Sequence, residues 1–123
     1  IFSLLLIVGL VSGTLSAASF TWWNKNISYH INAMGAVIRQ TDNPLVMAEL
    51  GSTGLGNSIS LSYAVAPETA FVLFKPGQIP EIPSGYSDYF IAYGTGDVLD
   101  AIAASTGRSI ELAEGDYPLW RLK

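Results

Sequence analysis

Chemistry in this sequence centres on two acidic residues and the glycine turns beside them. Glu49 closes the apolar run PLVMAE and leads into GSTGLGNS at 51–58, while Asp97 ends the turn Gly94-Thr95-Gly96 after a second apolar run, DYFIAY. A strand running into a glycine turn and then a helix is how phosphate-cradling sites begin, because main-chain N–H groups at a helix N-terminus can face an anion. Ser52, Thr53, Gly54, Gly56 and Asn57 are therefore the candidate ligand contacts. Their glycines spell GxxGxG rather than GxGxxG and no Gly-Lys-Ser/Thr is present, so neither nucleotide fingerprint is met. A plain strand-to-helix turn is the simpler account of the same residues.

Glu49 and Asp97 would share acid and base work only if burial raised one pKa above the other. Neither has a nucleophile or a second histidine beside it, and each has a sufficient structural role, as a polar strand end and as an acidic residue in a helix's first turn. No catalytic residue, metal site or cofactor is assigned. The chain has no cysteine, which excludes disulfides, thiolate metal sites and a Cys nucleophile together. Its one histidine, His30, cannot build a multi-histidine site and reads as an ordinary surface or packing residue. Six basic residues stand against ten acidic ones with no basic block to neutralise a row of phosphates, so nucleic-acid binding is not expected.

The elements that must position these residues follow from periodicity. Ile27, Ile31, Met34, Val37 and Ile38 form the stripe of an amphipathic helix, with Asn26 as its N-cap and Thr41-Asp42-Asn43-Pro44 as its stop. Residues 44–49 and 69–74 read as strands buried on both faces, as in a parallel sheet. Between them, 58–65 alternates like a strand, yet two parallel strands need a crossover, and a short helix is expected there. The turn-rich stretch 75–85 is a candidate contact loop. A third strand at 88–93 leads to a helix carrying Val98, Leu99, Ile102 and Ala103, ended by Gly107. The last segment, RSIELAEGDYPLWRLK, reads as a hairpin turning at 114–116, with Ile110 and Leu112 on one face and Pro118 suited to an edge strand.

The opening run is of another kind. Residues 1–23 carry no charge, and a helix of that length reaches roughly 34 Å, enough to cross a hydrocarbon core of about 30 Å. Phe20, Trp22 and Trp23, passing into Asn24-Lys25-Asn26, resemble a headgroup-level anchor. Small residues such as Gly9, Gly13 and Ser16 suit close packing on other helices. A signal peptide with Ala17-Ala18-Ser19 as its cleavage site and a soluble core helix are the alternatives. The fold class expected is α/β: one N-terminal transmembrane helix at 1–23, then at 24–123 a small, mostly parallel layered domain closed by an antiparallel C-terminal hairpin. The first residue is Ile, not Met, which leads to the expectation of a sequence processed, truncated or cut from a longer reading frame.

This order of features resembles the C-terminal part of bacterial polytopic membrane glycosyltransferases of the protein mannosyltransferase and aminoarabinose transferase type. The residues that carry it are the apolar helix with its aromatic exit, the strand DYFIAY, and the chain end EGDYPLWRLK, with Leu119-Trp120-Arg121-Leu122 as its aromatic-Leu-Arg strand. The resemblance implies an inner-membrane protein whose small domain is extracytoplasmic, with membrane lipid and upstream transmembrane helices of the same chain as partners. It also implies a polyprenyl-phosphate-linked sugar donor and an acceptor. The family's acidic catalytic residues lie in an early loop with no counterpart here, so such a fragment would not be catalytic alone. The competing expectation is a small secreted or membrane-anchored ligand-binding module bearing a signal peptide. Lys25 directly after the apolar run leans cytoplasmic under the positive-inside rule, against the family's placement.

Overall fold

The structure, a computed structural model, describes residues 2–18, 25–51, 54–115 and 117–123. In chain order the elements are α1 (Phe2–Ala18), α2 (Lys25–Ile38), β1 (Pro44–Glu49), α3 (Gly54–Ala64), β2 (Ala70–Phe74), β3 (Asp88–Ala92), α4 (Gly96–Thr106), β4 (Ile110–Leu112) and β5 (Leu119–Leu122). They divide into two units, Ile1–His30 and Ile31–Lys123.

In the first unit, α1 is a 17-residue helix with no acidic or basic residue at either end and no buried residue. At about 1.5 Å per residue it reaches about 25 Å, short of a hydrocarbon core of about 30 Å. Among the described residues no helix is long and apolar enough to cross a membrane. The expected crossing over 1–23 is thus not supported, and its aromatic exit at 19–23 lies outside the described residues.

The second unit is the expected α/β structure. Its sheet has the order β2-β1-β3-β5-β4. β1 runs parallel to both β2 and β3, with Leu45 opposite Ala70 on one side and Tyr89 on the other. β5 is antiparallel to β3 and β4, so the closing hairpin completes a mostly parallel sheet. The strict alternation of strand side chains sorts the core into two clusters. Val46, Ala48, Phe90 and Ala92 join Ile31, Met34 and Ile38 of α2 and Leu61 of α3. Leu45, Met47, Tyr89 and Ile91 join Val98 and Ile102 of α4 on the opposite face. This explains why PLVMA is apolar throughout before Glu49 closes the strand: all six residues of β1 are buried, because helices cover both faces.

The two parallel connections differ. β1 reaches β2 through α3, whose Ser58 and Leu61 are buried, as is Val65 just past its end, so the alternation of Ile59, Leu61, Tyr63 and Val65 is incidental. β2 reaches β3 through the irregular stretch 75–87, whose Ile82 and Tyr86 pack on the α4-side cluster. Asn43, at φ 50°, fastens the end of that stretch: its Nδ2 donates to the Gly85 carbonyl at 3.0 Å and its carbonyl accepts the Ser87 N–H at 3.2 Å.

Several expected boundaries move. α2 begins at Lys25, so Asn26 lies inside the helix and is not its cap. Pro118 does not mark an edge strand, since β5 lies between β3 and β4; the proline precedes the strand, where its missing N–H costs no ladder bond. Leu112 is exposed, because β4 is the short outer strand of the sheet. Gly107 does take the left-handed conformation, φ 65°, and its N–H returns to the Ala103 carbonyl at 2.9 Å as a helix stop requires.

Candidate functional site

The chain leaves β1 toward β2 on one side of the sheet and β3 lies on the other side of β1, which makes the gap beyond the carboxyl ends of β1 and β3 the topological switch point. Sequence position alone puts Glu49 and the 93–97 turn there. The structure joins them: Glu49 Oε2 accepts the main-chain N–H of Thr95 at 3.3 Å. Glu49 is 6% exposed. Thr95 is the N-cap of α4, with extended backbone and no capping bond from its own hydroxyl. The carboxylate therefore ties the end of β1 to the start of α4, where the helix dipole favours negative charge.

Asp97 lies in the first turn of α4 and is exposed. It takes the dipole-stabilising position expected of it. Of the candidate ligand contacts, Ser52 and Thr53 lie outside the described residues. Gly54, Gly56 and Asn57 belong to the first turn of α3 rather than to an open loop. The helix starts early because the glycines and Asn57 are followed at once by the inward set Ser58, Leu61 and Val65, whose burial outweighs the low helix propensity of glycine. Gly56 is exposed and Asn57 half-buried, and the Gly56 carbonyl accepts the Ser60 hydroxyl at 2.9 Å.

Tyr93 is the residue at this edge that sequence reasoning missed. It follows β3 with φ 59°, a left-handed conformation that is rare for an aromatic residue. Its N–H donates to the Pro118 carbonyl at 2.9 Å, which holds the strained residue against the chain entering β5. Its ring packs on the core cluster beneath α2 and α3, and its buried hydroxyl has no hydrogen-bond partner among the described residues. Burial pushes the hydroxyl pKa up from 10.0 to about 12. The following Gly94 is fixed by packing: a Cβ there would stand 3.0 Å from Ile91 Cγ2 and 3.2 Å from Leu99 Cδ2. Nothing in the local sequence signals this conformation, which tertiary packing and the Pro118 bond impose.

At the other end of the same strands sits a polar cluster. Arg121 Nε donates to Asp88 Oδ1 at 2.8 Å, Lys123 pairs with Glu111, and the Arg108 guanidinium lies 5.2 Å from the centre of the Tyr89 ring. These contacts clip β5 to β3 and β4. His30, in α2, meets the Tyr29 ring edge-on at 6.0 Å. Among the described residues no group of three His, Cys, Asp or Glu side chains is placed to hold a metal ion.

The geometry at the switch point thus offers one buried carboxylate engaged with a main-chain N–H, one buried tyrosine hydroxyl, and two helix N-termini. Comparison of the chain with known protein families, curated proteins and solved structures finds no match.

Proposed function

We propose that the chain is a lipid-embedded helix carrying a small extracytoplasmic α/β domain, the C-terminal portion of an inner-membrane glycosyltransferase that draws its sugar from a polyprenyl-phosphate donor. This portion does no chemistry by itself. The observation that supports the lipid assignment is α1: uncharged, apolar on every side, and without a buried residue. Leu4, Leu5, Leu6, Ile7, Val8, Leu10, Val11 and Leu15 are each more than half exposed. A helix that is hydrophobic all round needs an apolar surrounding, and a soluble monomer rarely leaves so large a patch in water. Lipid and the upstream transmembrane helices of the same protein are its neighbours, and Gly9 and Gly13 suit close helix contact.

The glycosyltransferase assignment rests on the resemblance of DYFIAY and the terminal LWRL strand. The test is the genomic sequence upstream of Ile1. An in-phase reading frame encoding several more apolar spans and an acidic first loop is expected; a start codon immediately upstream with no such spans would overturn it. A mature product of the complete gene that begins near Ser19 and is free of the membrane would replace this reading with a small secreted or anchored ligand-binding module holding its ligand at the Gly54–Asn57 turn.

A further inference from the structure

We infer that β2 is a self-association edge: two copies of this chain join their sheets antiparallel through Ala70–Phe74, about a two-fold axis passing at Val72. β2 is an outer strand of the sheet, paired with β1 alone. The Phe74 carbonyl accepts the Leu50 N–H at 2.7 Å, so Phe74 directs its main chain at β1. Main-chain direction alternates along a strand, which turns Ala70 and Val72 the same way and leaves the N–H and C=O of Phe71 and Leu73 pointing away from β1. Among the described residues these outward groups have no partner.

That arrangement is self-complementary in one register. With Val72 opposite Val72 of the second copy, Phe71 of each stands opposite Leu73 of the other, and the two residues exchange both of their main-chain bonds. All the outward groups are then satisfied. The five cross-strand pairs, Ala70 with Phe74, Phe71 with Leu73 and Val72 with itself, are all apolar. Shifting the register by two residues places Ala70 opposite Pro76 in one direction and Phe74 opposite Glu68 in the other.

The surroundings of the edge fit the same occupant. Leu73 is 44% exposed and Ile79, beside it in the groove formed with Val72 and Phe74, is 55% exposed. Above the sheet, α3 turns Ser58 and Leu61 inward and Ala64 toward α2, where a Cβ on Gly35 would stand 2.5 Å from the Ala64 carbonyl oxygen. At 100° per residue, Leu55 and Ile59 fall on the flank away from α2, the flank toward β2, and both are exposed. A symmetric pair brings these flanks face to face over the joined strands. The opposite edge lacks such a surface: β4 has three residues, and Glu111 paired with Lys123 guards it, a common defence of edge strands.

The chain has no cysteine, so single cysteines report contacts cleanly. The full chain in neutral detergent is compared with Leu73→Lys by sedimentation equilibrium, and Val72→Cys with Leu112→Cys by oxidative cross-linking. The wild type is expected as a dimer, Leu73→Lys as a monomer at least tenfold weaker in association with an unchanged circular dichroism spectrum, and Val72→Cys as a disulfide dimer while Leu112→Cys stays single. A monomeric wild type, or a dimer that Leu73→Lys leaves intact and so is held by α1, overturns the inference. Should Leu73→Lys fail to fold, cross-linking decides: Val72→Cys no faster than Leu112→Cys rejects it.

Discussion

Glu49 and Tyr93 sit at the same edge of the sheet and illustrate two ways of treating a buried polar group. The Glu49 carboxylate is buried but engaged, on the Thr95 N–H. Glu49→Gln keeps an acceptor and loses the charge at the α4 N-terminus, for an expected cost of about 0.3–1 kcal/mol. Glu49→Ala also leaves the Thr95 N–H without its acceptor, and a larger loss of about 1–3 kcal/mol is expected. Chemical denaturation of the two variants side by side checks the order; equal costs would remove the hydrogen bond from the account. Tyr93 is the opposite case, with a buried hydroxyl that has no partner among the described residues. Tyr93→Phe is therefore expected to be neutral or stabilising by up to about 1 kcal/mol at neutral pH. Its pKa supplies a second signature. In the unfolded chain the hydroxyl ionises near 10.0, whereas the folded protein holds the proton to about 12. Between those values the unfolded state binds fewer protons, so stability falls as pH rises, and Tyr93→Phe should flatten that fall. An unchanged alkaline slope would contradict the burial of the hydroxyl. Glu49 was legible in the sequence as a strand end before a turn. Tyr93 was not, because nothing local announces a left-handed aromatic; tertiary packing and the Pro118 bond impose it.

At the scale of elements, the strands were the most legible part. An uninterrupted apolar run bounded by Pro44 and a glycine turn has few alternatives, and β1 falls where PLVMAE falls. α3 was legible only through topology: its residues alternate like a strand, and the need for a crossover decided the matter. Its start was misread because the helix recruits Gly54 and Gly56 into its first turn. The contact between α2 and α3 was not legible, since Gly35 in the middle of a helix looks like a weakness. It is a packing requirement, as the Ala64 carbonyl oxygen would stand 2.5 Å from a Cβ there. Gly→Ala inside a helix ordinarily gains about 1 kcal/mol. Here the clash with main-chain atoms should reverse the sign, and Gly35→Ala is expected to lose about 1–3 kcal/mol. Thermal unfolding of this variant checks it; a rise in Tm would mean that the two helices separate at little cost.

At the scale of the whole molecule, two kinds of sequence share one chain. Ile31–Lys123 buries its apolar residues in two clusters, one on each face of a five-stranded sheet. α1 buries none. Composition announced an apolar opening before the first charge at Lys25, and the mixed five-stranded sheet is the α/β structure expected after it. Among the described residues the apolar helix runs from Phe2 to Ala18, and its expected continuation to Trp23 lies outside them. The central claim is that lipid supplies the surroundings α1 lacks. Mixing the full chain with phosphatidylcholine vesicles and separating them on a density gradient tests it directly. The chain is expected to float with the vesicles and to stay with them after alkaline carbonate washing; recovery as a monodisperse protein in the dense aqueous layer would contradict the claim.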